Sequence, residues 1–244
     1  MKAEVPRTPT GIEGLDSMIG GGIPRGRVVL VSGGPGTGKT TLAIQYLING
    51  VLKYHENGIF VSLDEPEEKI FQEASYRGWD LRRLCHEKKI AFIDGKSYAT
   101  GHKVQRFVLG QTISDTVRSM NAKRISVDTL ARLTLQYPDR IQRSEVVLEL
   151  FEAVQATGAT TLVTHEIKEN PERAVLLEEY LADGVIILQS SQVEQRRVRT
   201  IDVEKMRGTR IDDQLRPYVL EDDGIQVLSD KDIFAYAAKL LIKK

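Results

Sequence analysis

The sequence of 244 residues holds a single cysteine, Cys85, so an intramolecular disulfide framework is impossible and a reducing compartment is expected. It has no excess of either charge. Its 34 Lys and Arg are balanced by 34 Asp and Glu, which leaves no global field to recruit nucleic acid or an anionic membrane. No apolar run approaches the ~18 residues of a membrane span, and residues 1–7 carry no apolar signal core. These absences predict a soluble, cytoplasmic protein without a membrane partner. The length suffices for one large α/β domain, taken as residues 1–244 with a lead-in over 1–26 and a tail helix over 229–244. Cys85, beside Arg82, Arg83 and His86, reads as a passive residue on a helix.

Glycine, by contrast, is concentrated at one place. Gly33, Gly34, Pro35, Gly36, Thr37, Gly38, Lys39 and Thr40 follow the apolar run Val28 to Val31 and precede Leu42 to Leu47. Strand, glycine loop and helix in that order satisfy the phosphate-binding pattern GxxxxGK[ST], whose backbone N–H groups must turn out of a buried strand toward a helix N-terminus. Lys39 would place a cation on the β and γ phosphates of ATP, Thr40 would offer a hydroxyl to Mg²⁺, and Thr41 completes the nucleotide-binding set. Asp128 ends an apolar strand, which is how a second magnesium-positioning carboxylate is presented.

Asp64 and Glu65 follow the strand Gly58 to Leu63 and are candidates for the base that orients or deprotonates an attacking water. Adjacent residues on an extended segment point in opposite directions, so only one of them should face the nucleotide. Together with Glu67 and Glu68 they could instead favour the following helix N-terminus. Glu166 is a second choice for the base, and His165 could sense the γ phosphate or cap a strand. Lys205 and Arg207, two apart on a strand, point the same way. They form either a charged edge that blocks unwanted pairing or a pair of cations reaching a neighbouring subunit's γ phosphate.

The remaining pattern alternates strand and helix. Strands are predicted at 27–32, 58–63, 89–94, 124–128, 159–164 and 184–189, with helices at 38–54, from Pro66 onward, at 104–120 and at 145–156 and a loop over 95–103. Val104, Phe107, Val108, Ile113 and Val117 set the spacing of the third helix. Such alternation predicts a mostly parallel, doubly wound sheet flanked by helices. Residues 197–206 then alternate as antiparallel edge strands, residues 217–220 and 224–228 form a hairpin, and Ser229 or Asp230 caps a helix over 230–244.

The segments 10–16, 21–26, 33–40, 60–65, the strand end at Asp128, 178–188 and 205–209 resemble, in order, a single domain of the KaiC-like branch of the RecA superfamily of P-loop NTPases. The resemblance implies an Mg²⁺-dependent ATPase, with Asp64 and Glu65 as its acidic pair and Lys205 and Arg207 as its Lys-x-Arg element. In that family the element acts across the interface of a ring, usually hexameric, so a homo-oligomer is implied. The family's pair is usually Glu-Glu, and the shorter Asp64 implies slow turnover. Its autophosphorylated Ser-Thr pair falls on Glu179 and Tyr180 here, which argues against a Ser/Thr autokinase and leaves Tyr180 as an acceptor. Two alternatives stand beside the ring ATPase. One is an ATP-bound switch that docks a regulatory protein. The other is a RecA/RadA paralogue binding single-stranded DNA through a loop over residues 130–144, where Arg132, Arg140, Arg143 and Tyr137 lie; a second loop over residues 165–182 is too acidic for that task.

Overall fold

The computed structural model describes residues 5–96, 103–135, 137, 139–167, 176–194 and 196–242. A short antiparallel pair, β1 (Arg7–Thr8) and β2 (Ile23–Pro24), brackets α1 (Leu15–Met18), whose Leu15 and Met18 are buried along with Ile19. The chain then enters β3 (Val28–Gly33), buried at all six positions. It runs in parallel with β4 (Gly58–Ser62), β5 (Ile90–Asp94), β6 (Arg124–Asp128), β7 (Thr160–Glu166) and β8 (Gly184–Val193). Strands β9 (Arg196–Met206), β10 (Arg216–Glu221) and β11 (Gly224–Val227) extend the sheet antiparallel, giving the order β11-β10-β9-β8-β3-β7-β6-β4-β5. The fold is therefore the predicted α/β architecture with a mostly parallel sheet and antiparallel edge strands.

Both faces of β3 are covered, which is why its sequence does not alternate. Val29 and Val31 pack into one core with α2 (Lys39–Tyr54), α3 (Glu67–Tyr76) and α4 (Leu81–His86). Val28 and Leu30 pack into the other, with α5 (Lys103–Met120), α6 (Leu130–Thr134) and α7 (Arg140–Ala156). The helices α8 (Leu177–Leu181) and α9 (Ile233–Ile242) complete the order. Arg124 at the start of β6 is fully buried: its Nε donates to Glu56 at 2.8 Å, and its guanidinium lies over the rings of Tyr46 and Tyr54 at 4.7 and 5.0 Å. That clamp fixes β6, and hence Asp128 at its far end, against the close of α2.

Several expectations need correction. The segment 130–144 is not an open loop, because α6 and the first turn of α7 occupy most of it. Helix α7 starts at Arg140 because the Asp139 carboxylate accepts from the N–H groups of Ile141 and Gln142. On α5 the core face is Leu109, Ile113 and Val117, whereas Phe107 and Val108 are exposed, since the apolar residues before Leu109 continue past the stripe the sheet covers. The last helix is capped by Asp232, whose Oδ1 accepts from Phe234 and Ala235, rather than by Ser229 or Asp230. Strand β8 runs on to Val193 and pairs along its length with β9. Of the predicted loop over 95–103, residues 97–102 lie outside the described residues.

Candidate active site

Parallel strands deliver their C-terminal ends to one edge of the sheet. Here Gly33 ends β3, Asp128 ends β6, Glu166 ends β7, and Asp64 and Glu65 follow β4, with Gly33 opposite Glu166 and Ser62 opposite Asp128 in register. Gly33 can take no side chain, since a Cβ would lie 2.5 Å from the Leu188 carbonyl. Gly38 caps α2 at φ 93°, a left-handed backbone that glycine alone adopts without strain. The loop between them therefore turns sharply and presents the α2 N-terminus to the same edge.

Lys39 is nearly buried within this loop, its ammonium donating to the carbonyls of Gly33 at 3.0 Å and Gly34 at 2.8 Å. Thr37 closes the turn through its hydroxyl to the Gly34 carbonyl at 2.8 Å. The Thr40 hydroxyl donates to Asp128 Oδ2 at 3.0 Å, and Thr164 donates to Asp128 Oδ1. Thr41 points elsewhere: its hydroxyl donates to Glu73 on α3 at 3.0 Å. Burial pushes the Asp128 carboxyl above the usual range, opposed by the hydroxyls of Thr164 and Thr40 and by Lys39. Burial likewise holds the Lys39 ammonium below its ordinary value, opposed by Glu166 and Asp128. A hydroxyl, a carboxylate and an ammonium thus converge with their charges only partly compensated, the condition in which an added cation and a polyphosphate are both welcome.

Asp64 and Glu65 diverge within the bend that follows β4, not on an extended segment as expected. Asp64 forms an ion pair with Arg132 of α6 at 3.5 Å, and Glu65 with Lys69 of α3 at 2.8 Å; both carboxylates are about 40% exposed or somewhat more. His165 is buried on β7 beside Ser32.

Lys205 and Arg207 are not at this edge. Val29 is in register with Gly184 and Gly33 with Leu188, while Gly184 faces Met206. About three to five residues of strand, roughly 10 to 16 Å, therefore separate the phosphate loop from the two cations of the same chain, Lys205 being opposite Val185 and Arg207 one past Met206. Lys205 Nζ caps the end of α8 through the carbonyls of Glu179 at 3.0 Å, Tyr180 at 3.3 Å and Ala182 at 2.6 Å. The Arg207 guanidinium lies 3.5 Å from Asp183 Oδ1. Among the proposed phosphoacceptor positions, Glu179 is buried and Tyr180 is exposed.

Sequence reasoning missed three partners of the loop. Thr164 and Glu73 face Asp128 and Thr41, and Tyr218 of β10 donates from its buried hydroxyl to the Thr37 carbonyl at 2.5 Å. Next to it, Gln45 of α2 brackets the backbone of Ile225, accepting from its N–H at 2.8 Å and donating to its carbonyl at 3.1 Å. Nothing local to residue 218 signals this contact, which spans 181 positions. Tyr218→Phe should leave the Thr37 carbonyl without a buried donor and cost about 1 kcal/mol or slightly more, read as a lower denaturation midpoint, together with weaker nucleotide binding by calorimetry.

A family model described as "ATPase: KaiC" matches residues 8–232. The chain is 36% identical over 229 residues to the circadian clock oscillator protein KaiC of Parathermosynechococcus lividus, a match covering 91% of this chain and 42% of that protein. It is 34% identical over 235 residues to KaiC of Prochlorococcus marinus, covering 94% of this chain and 46% of that protein. The chain thus spans less than half the length of these curated relatives. The crystal structure of a KaiC-like protein from Pyrococcus horikoshii OT3 matches it with a TM-score of 0.82 at 33% identity, covering 92% of this chain and 99% of that one.

Proposed function

The chain belongs to the KaiC family of ATPases, and from that premise we propose that it hydrolyses ATP with Mg²⁺ at sites shared between adjacent subunits of a ring, hexameric by the family resemblance, with residues 1–244 acting as one ATPase domain. The observation that carries this reading is the separation of the two half-sites within one chain. The loop from Gly33 to Thr41, with Asp128, occupies one edge of the sheet, while Lys205 and Arg207 occupy the other. A chain that carries both halves at opposite edges can join them only by packing against another copy.

Within such a site the loop N–H groups and Lys39 bind the phosphates. Thr40 and Asp128, already 3.0 Å apart, are hard oxygen donors suited to Mg²⁺, which would neutralise phosphate charge when bound. Asp64 or Glu65 orients the attacking water, and Lys205 and Arg207 of the next subunit stabilise charge on the γ phosphate. Both members of the acidic pair are engaged by exposed cations, Arg132 and Lys69, and the one that serves must leave its cation to reach a water. That engagement supports slow turnover and a regulatory role in which a bound nucleotide sets the shape of a docking surface for a partner protein.

Size-exclusion chromatography with light scattering, with and without ATP and Mg²⁺, followed by turnover of each resolved species, tests the reading. A ring that alone carries activity is expected. Full activity in a monomeric fraction would remove the shared site, and rapid turnover without any partner would remove the slow-switch element.

A further inference from the structure

Asp183 joins Arg207 to the sheet. Its carboxylate is almost fully buried and meets three donors: Arg27 Nη1 at 3.0 Å, the Val28 N–H at 3.2 Å and Arg207 Nη1 at 3.5 Å. The backbones are tied as well, the Asp183 N–H donating to the Val28 carbonyl at 2.8 Å and the Arg207 N–H to the Asp183 carbonyl at 2.9 Å. Val28 opens β3, which is buried at all six positions and leads into the phosphate loop, so Asp183 is held by the central sheet. Arg207, by contrast, stands in the turn after β9 with its side chain 51% exposed. An exposed arginine there would spread over many rotamers, and ordering it late, at the moment of use, costs side-chain entropy. Lys205 has its own mount in the α8 carbonyls, so of the two cations it is Arg207 that the buried carboxylate holds, alongside Arg27.

We propose that Asp183 is the positioning residue for Arg207, setting the angle at which the guanidinium meets a neighbouring subunit's γ phosphate. The proposal rests on the shared-site reading above. It also predicts where the defect falls: loss of Asp183 damages the neighbour's site and leaves the chain's own phosphate loop intact.

The test is a subunit-mixing experiment on Asp183→Asn, which keeps an oxygen acceptor for the Val28 N–H. Alone, the variant should bind ATP within about twofold of the parent yet turn over about 10- to 100-fold more slowly, the usual effect of a small misplacement of a catalytic group. Mixed with Lys39→Ala, which has an intact finger but a damaged loop, it should regain activity as Arg207→Ala does. Asp183→Glu, retaining the charge, should lie between the two and be rescued in the same way; it serves if the asparagine variant fails to fold. Parent-like turnover in both variants overturns the proposal. So does a loss that mixing cannot restore while Arg207→Ala is restored, because Asp183 then acts only on its own β3. If mixing restores neither, the shared site itself is wrong, and the proposal falls with it.

Discussion

Replacing Arg207 by alanine should lower turnover by about 10³-fold or more, the range typical of a trans-acting arginine, while lowering Tm by no more than about 2–4 °C. The two halves of that result have separate physical causes. Arg207 is half exposed and its ion pair with Asp183 is long at 3.5 Å, so its contribution to the fold is that of a surface pair, within about 1 kcal/mol. Asp183 keeps Arg27 and the Val28 N–H when the guanidinium is removed, so no buried charge is left uncompensated. A charge delivered to the γ phosphate only in the transition state, on the other hand, is worth several kcal/mol. Mixing Arg207→Ala with Lys39→Ala subunits should restore activity, since the mixed interface joins one intact loop to one intact finger. Steady-state phosphate release measured against mixing ratio checks this. A flat dependence at the level of the separate variants would show that Arg207 acts within its own chain or not at all.

Asp128→Asn should produce the opposite pairing, a large loss of activity with no loss of stability. Turnover should fall by about 10²-fold or more, in line with removal of a charge that holds a catalytic cation. Stability should be equal or higher at neutral pH. Burial raises the Asp128 carboxyl, so the folded protein binds its proton at a pH where the unfolded chain has already released it. Stability therefore falls as pH rises through that window, and above it the ionised carboxylate carries the full cost. Asparagine removes that cost while its Oδ1 accepts from one of the two threonine hydroxyls and its amide donates to the other, and each kcal/mol recovered raises Tm by about 2–4 °C for a chain of this size. The Tm advantage should shrink as pH is lowered through the same window, where the parent carboxyl also becomes neutral. A variant less stable than the parent at pH 7.5 would mean that the hydroxyl bonds outweigh desolvation.

Much of the fold was legible because it rests on short-range signals. Val28 to Val31 had to be a strand covered on both sides, and Gly38 had to end a turn and begin a helix, whatever surrounded them. The start of α7 at Asp139 and Arg140 was harder to read, because a cap at Asp139 moves a helix start by five positions without any change in apolar spacing. Phe107 and Val108 fit the helical period and still face outward, since period gives a face but not what covers it. At the candidate site, Lys39, Thr40 and Asp128 could be named from motif and strand end alone. Glu73, Thr164 and Tyr218 could not, because each reaches the loop through space from a distant element.

By itself, then, the sequence determined a parallel α/β sheet and the loop from Gly33 to Thr41, because strand burial and positive-φ glycines are written residue by residue. It also supplied Lys205 and Arg207 as a pair of cations, but not their shared strand face, since β9 ends at Met206 and Arg207 stands in the turn beyond it. Only the tertiary structure decided on which side of the molecule they lie. Strand order and direction set β8 parallel to β3 and bring β9 back beside it, and that topology puts the cations roughly 10 to 16 Å of strand away from the loop. Spacing along the chain carries no information about which edge of a sheet a residue reaches; the pairing of strands does.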